Sequence, residues 1–582
     1  MRNELADHGS AYLAMHGDDP VHWQLWNTDA VARAKQQNKL LYVSSGYFSC
    51  HWCHVMQRES YQNREIAALL NRHFIPVKVD RELNPALDDR LIDFVEQTQG
   101  YSGWPLNVFI TPDGYPLVGM VYQPPEDFRR ILERIHQQWQ SRATQLNELA
   151  RETTRSLDSR SAPAGESMTP QQLRQRFIEA AMNQADDLQG GFGDQNKFPS
   201  VPQLETLLSV YQQDPDKHQQ IGEFLRLTLD MMAQRGLYDH LAGGFFRYVV
   251  DPDWQVPHFE KMLYDNAQLA SLYLRAERIL MEPRYRQVGL ETLDFLHREF
   301  QLDNGGLLAS FSALDGNDVE GGYYLWQEDE FKQVLNEQQY QVASRAWGVS
   351  GPPELDHGHH LQLNRDIINL ADTLGMTLEE TKQILQQARD KLLAYRRSQR
   401  ILPKDNKQIA AWNGLALSAY VAGAREHARF DDGARELATF LVSELWDGKQ
   451  LRRAANAGQQ LGQVGLEDYA YVARGLLDYA AYVGDQQVLA TARAIIKQAW
   501  LRFYSRVGWQ LQELPLLRYG ARQMALPDGP MPSPSAVLLE VTQRLLQHHS
   551  DEQLKEQWQQ AKQRGMGVLQ ASPFWHATRI MQ

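Results

Sequence analysis

The stretch Cys50-His51-Trp52-Cys53-His54 carries both cysteines of the 582-residue chain, at the three-residue spacing of a reversible thiol pair. It follows the apolar run Leu40-Leu41-Tyr42-Val43 and leads into Val55-Met56 and Ile66-Ala67-Ala68-Leu69-Leu70, a pattern that reads strand, turn, helix start. The first sulfur then sits at a helix N-terminus, where free backbone N–H groups and the helix dipole favour a thiolate. The second, one turn on, is placed to resolve a mixed disulfide. Cys50 is therefore the expected attacking thiol and Cys53 the resolving one, with His51 between them expected to favour the thiolate. Other chemistries share the letters. Haem attachment uses C-x-x-C-H but requires export, for which the N-terminal residues carry no leader pattern. A zinc site through His51 or His54 lacks a second C-x-x-C, and two thiols that merely pack is the structural alternative.

A second group of reactive residues falls at helix starts. Asn196-Lys197-Phe198-Pro199 precedes a helix from Val201, and His258-Phe259-Glu260-Lys261-Met262-Leu263-Tyr264-Asp265-Asn266 opens another. Trp412-Asn413-Gly414 and Leu466-Glu467-Asp468-Tyr469 open two more. If alternate helices form an inner ring, these N-termini meet at one mouth, with Asp239, His240 and Arg247 joining the rim from the loops before the second. Rings such as Phe198, Tyr264 and Trp412 could cover the faces of a pyranose. Lys197, Asp239, His240, Arg247, Asn413, Glu467 and Asp468 would bind its hydroxyls, and His258, Glu260 and Asp265 would move protons. Separated carboxylates suit a hydrolase, and a histidine pair an epimerase. The competing account is capping, since Asp and Asn at helix starts commonly close a backbone N–H. Asp356-His357-Gly358-His359-His360 reads as a solvated loop and Lys391 to Arg400 as a helix end complementing its dipole. No motif calls for a metal or another cofactor.

The elements that must hold these residues divide the chain in two. Residues 1–150 alternate strand and helix signals in the thioredoxin order, with Trp104-Pro105 just before the closing hairpin, where such folds keep a cis-proline against the sulfurs. A Ser, Ala, Gly and Pro-rich stretch over 151–169 reads as a linker. Residues 170–582 read as about a dozen amphipathic helices with recurrent Gly-aromatic segments, an all-α array of helical hairpins. Apolar content of 43% and charged content of 23% fit an ordinary soluble protein. A net charge of −13 argues against nucleic acid or an anionic membrane as partner. With no apolar run of about 18 residues, the expected setting is cytoplasmic, with largely reduced cysteines. A sugar ligand and a protein redox partner are the partners these features point to.

With those residues in view, the chain resembles the spermatogenesis-associated protein 20 type family over nearly its full length. The likeness rests on Gly46 to Met56, Val79-Asp80-Arg81-Glu82, Gly103-Trp104-Pro105-Leu106-Asn107-Val108-Phe109, Gly190-Gly191-Phe192-Gly193, Val256 to Asn266, Trp412-Asn413-Gly414-Leu415 and Leu466 to Ala470. It implies an α/β thioredoxin-like domain joined to an (α/α)6 toroid similar to that of N-acylglucosamine 2-epimerase. Asn196, Leu314-Asp315-Gly316-Asn317 and Asp405-Asn406-Lys407 depart from the family pattern.

Overall fold

The computed structural model describes residues 2–158, 168–363, 366–513, 515–518 and 522–581. The N-terminal sheet has strands β1 (Leu41–Gly46), β2 (Ile75–Asp80), β3 (Leu106–Ile110) and β4 (Pro116–Met120) in the order β2-β1-β3-β4. β1 and β2 run parallel, while β3 and β4 are antiparallel additions. All six residues of β1 and of β2 are buried, the polar Ser44, Ser45, Lys78 and Asp80 along with the apolar ones. Cys50 caps the helix His51–Met56, its sulfur accepting from the Cys53 N–H at 3.2 Å. The Trp104–Pro105 bond is cis. The helix opening at Pro125 kinks at Arg142, and a second helix runs on from there to Asp158, so residues 151–158, expected in the linker, are helical. Amphipathic patterning outweighs composition there, and residues 159–167 of that linker lie outside the described residues.

Beyond it the chain builds the toroid. The inner helices Val201–Gln213, Leu263–Leu280, Ala410–Glu426, Leu466–Val483 and Pro534–Leu546 pack side by side, and Ala577–Ile580 closes the ring against the first. Outer helices such as Gln219–Gln234, Pro283–Phe295 and Gln486–Phe503 each back a neighbouring inner one. Gly414 and Gly475 let two inner helices touch: a Cβ on Gly414 would lie 2.5 Å from the Tyr471 carbonyl carbon, and one on Gly475 2.5 Å from the Gly414 oxygen. Not every helix joins the ring. Glu328–Val334, Glu337–Trp347, Ile367–Leu374 and Leu378–Gln399 form an inserted subdomain with its own core around Trp326, Phe331, Trp347 and Leu392.

Three two-residue strands, β5 (Lys261–Met262), β6 (Ser310–Phe311) and β7 (Lys404–Asp405), pair antiparallel between the insertion and the N-terminal domain. Their alternation sorts side chains: Lys261, Phe311 and Lys404 share one face, and Met262, Ser310 and Asp405 the other.

Candidate functional site

The two cysteines are joined as a disulfide, where largely reduced thiols were expected. The pair is packed away, Cys50 being 5% and Cys53 0% exposed. The toroid is tied to the residues just before it. Ser49 donates to Glu260 Oε2 at 3.1 Å, and the Ser49 carbonyl accepts from the Ala313 N–H at 3.3 Å. Tyr47 donates to Glu260 Oε1 at 3.1 Å, and Arg247 Nη1 donates to Tyr47 Oη and, at 3.1 Å, to Glu260 Oε1. Glu260, expected as a proton carrier, is thus fully engaged in tying the toroid to the strand that presents the cysteines. Trp52, 45% exposed and leaning on Tyr122, marks the open edge beside the pair.

His51 faces Glu320 at 3.6 Å, and Glu320 lies 3.4 Å from His258. Burial, then the neighbouring His258 and Arg58, pushes His51 down to about 4, so its imidazole is neutral at pH 7. It offers no positive charge to a thiolate, contrary to the reading from its place between the cysteines. His258 stacks on Tyr248 and Tyr248 on Phe198, a row of rings running from the disulfide to the surface.

A layer of unsatisfied polar atoms lies between the domains. Tyr264 Oη, Asp265 Oδ2, Trp412 Nε1 and Arg81 Nη1 are buried and have no hydrogen-bond partner among the described residues. The Tyr264 and Trp412 rings meet edge to face at 4.8 Å, and the Arg81 guanidinium lies 4.0 Å over Trp104 and 4.8 Å over Tyr47. Burial holds the Asp265 carboxyl well above its ordinary range; Arg247 opposes this and Glu260 adds to it. Asp89 is itself exposed to the space here, but the protein packed densely around that space, then Glu467 and Asp88, pushes its carboxyl up to about 7. Arg81 and Asp89 come from the N-terminal domain; nothing in their local sequence pointed to the toroid.

Other expected residues serve elsewhere. Asp468 accepts from Arg453 at 2.8 Å and from the N–H groups of Ala411 and Gly465, clamping two inner helices, while Glu467 pairs with Arg453 beside it. Asn413 exchanges hydrogen bonds with the Leu307 backbone, as Asn266 does with Phe245. Lys197 is buried against Asp186 and the Gly190 carbonyl. His240 turns to the Arg235 carbonyl, and Asp239 to Lys261 and Arg396 on the far face of the small sheet. His359 and His360, read from sequence as part of a solvated loop, instead pack inward against the Gly351 and Gly236 carbonyls, His359 being buried. Trp104 donates to Asp88 at 3.1 Å while Pro105 supplies the cis bond.

The model of a family described as "Protein of unknown function, DUF255", Thioredox_DsbH, matches residues 2–158. Human spermatogenesis-associated protein 20 is 35% identical over 531 residues, covering 82% of this chain and 67% of its own. The chain belongs to the spermatogenesis-associated protein 20 family. The rat member of that family is likewise 35% identical, and the chain spans 66% of its length. Among solved structures, cellobiose 2-epimerase from Bacillus thermoamylovorans aligns over 67% of this chain and 85% of its own at 10% identity, with a TM-score of 0.43. By its own sheet and ring of helices this family member is a thioredoxin-like domain fused to a helical toroid, and no helix among its described residues is long and apolar enough to cross a membrane.

Proposed function

We propose that this chain couples a thiol–disulfide exchange pair to a carbohydrate-type binding pocket between its two domains, in a cytoplasmic setting. The observation that carries the pocket is the set of buried, unpartnered polar atoms on Tyr264, Asp265, Trp412 and Arg81. Buried polar groups are nearly always paired, so four orphans in one layer favour a polar ligand that completes them. Indole and phenol rings beside a carboxyl and a guanidinium suit hydroxyls set on an apolar ring.

At the cysteines, once an external dithiol reductant has opened the Cys50–Cys53 disulfide and become oxidised in its place, a Cys50 thiolate would attack a substrate disulfide, forming a mixed disulfide and releasing one substrate thiolate. Cys53, deprotonated, would then displace the second substrate sulfur and leave the Cys50–Cys53 disulfide with a reduced dithiol. The burial of Cys50 favours a small or extended substrate over the flat face of a folded protein. Sugar epimerase chemistry is the second reading, favoured by the Asp265 carboxyl, whose affinity for a proton burial raises.

Thermal-shift titration with mono- and disaccharides tests the pocket. A ligand at about 100 times its Kd adds about 2.7 kcal/mol to the native state. Stabilisation by a sugar that is lost in Asp265→Asn, with the fold retained, is the expected result; no response to any sugar would remove the carbohydrate assignment.

A further inference from the structure

A second pocket lies across the small sheet from the disulfide-bearing domain. Its volume is about 190 Å³, and Lys261, Arg396, Arg397, Lys404, Phe311 and Tyr324 are among its lining. Arg400 also borders it, but its guanidinium is taken up by Glu330 and backbone carbonyls. That leaves four cations, facing two carboxylates, Asp239 and Glu299. Asp239 serves both Lys261 and Arg396 at 2.8 Å, and Glu299 serves Arg397. Two positive charges are in excess. Lys404 Nζ has only a long contact, 3.5 Å, to the Glu299 carbonyl and sits 5.0 Å over Phe311.

Two polar atoms of the lining are also unspent. Arg396 Nε and Tyr324 Oη have no hydrogen-bond partner among the described residues, although Arg396 is 2% and Tyr324 3% exposed. Guanidinium forks, an ammonium and a phenol converging on a small space form a donor-rich cradle for a tetrahedral anion. The excess of two charges matches a group carrying nearly two negative charges at neutral pH. Phe295, Phe311 and Tyr323 leave an apolar wall for a short carbon skeleton. Burial, partly offset by Asp239, also pushes Lys261 down to about 8, a penalty that an anion would relieve.

We propose that this pocket binds a phosphate or phosphomonoester group. The site does not depend on the carbohydrate reading, because none of its lining residues belongs to the unsatisfied layer between the domains. Its position gives it a route to that layer: Lys261 points into the pocket while its neighbours Glu260 and Met262 receive Ser49 from the cysteine strand.

Isothermal titration of the full chain with inorganic phosphate and with glucose 6-phosphate, at matched ionic strength in chloride, tests this. At least one should bind, and the double variant Arg397→Gln, Lys404→Gln should bind it about tenfold more weakly per cation removed. Both side chains are partly exposed, so the variant should retain the native melting profile. Tyr324→Phe, which removes only the unpartnered hydroxyl, should weaken the same ligand. Tighter inorganic phosphate would identify the free anion, and tighter glucose 6-phosphate a phosphorylated metabolite. Absence of binding by both, or affinities unchanged in both variants, would overturn the assignment.

Discussion

Lys407 of the toroid lies 2.8 Å from Asp80 of the thioredoxin-like domain, and neither side chain reaches solvent. The same ammonium is 2.7 Å from Glu82 and 2.6 Å from Asp405, so one cation holds three carboxylates at the seam. Ser10 donates to Asp80 at 2.6 Å, and Arg453 donates to the Glu82 carbonyl at 2.7 Å, extending the network across both domains. Burial pushes Glu82 up to about 7, with Lys407 opposing.

Removing the cation leaves those carboxylates buried and uncompensated. Lys407→Met should cost about 3–5 kcal/mol. Urea denaturation followed by tryptophan fluorescence measures it; a midpoint within error of wild type would show that the seam does not depend on this pairing.

Gly46 ends β1 against the cysteines. A Cβ there would lie 2.3 Å from Tyr12 Oη and 2.7 Å from Cys53 Sγ. Gly46→Ala should therefore lower stability by about 1–3 kcal/mol through overpacking, seen as a lower thermal midpoint.

Cys50→Ser should abolish disulfide-reductase turnover, assayed with a small dithiol-forming substrate, while far-ultraviolet circular dichroism stays native. Turnover at the wild-type rate would remove Cys50 from the role of nucleophile.

Asp89 sets a pH dependence. Its folded value, about 7, stands above the ordinary 3.8, so the folded state binds the proton more tightly. Its contribution is fully present below about pH 4 and is lost as pH rises through about 7. Asp89→Asn should flatten that part of the stability profile. The difference between wild type and variant across pH 4 to 8 checks it, and an unchanged slope would count against the raised value.

The legible parts of this molecule are those written in neighbouring residues. The strand, cysteine pair and helix start stand within a dozen positions, and the proline before the hairpin is placed by the strands around it. Two-domain architecture was legible because the hydrophobic period changes from one region to the next. The hidden parts depend on separation. Asp80 and Lys407 are 327 positions apart, and Asp239 and Arg396 are 157 apart. Arg81 and Asp89 carry no local sign that they face the toroid. Asp239, Asn413 and Asp468 stand where polar residues at a mouth would stand, yet their hydrogen bonds are spent on their own backbone and neighbours. Helix-start polarity has two uses, and only packing separates them. His51 shows the same limit for charge: its place between the cysteines suggested a cation, but burial leaves it neutral.

The small three-stranded sheet carries a constraint of another kind. Because successive residues alternate sides, inserting or deleting one residue in β5 or β7 would exchange its two faces. Lys261 would be turned toward the cysteines and Met262 into the basic pocket, and Lys404 and Asp405 would trade places in the same way. Loops within the connections, such as those joining the helices of the inserted subdomain between β6 and β7, can change length; the strands themselves cannot change by a single residue. Variation among relatives in this region should therefore appear as gaps that stop short of these six positions.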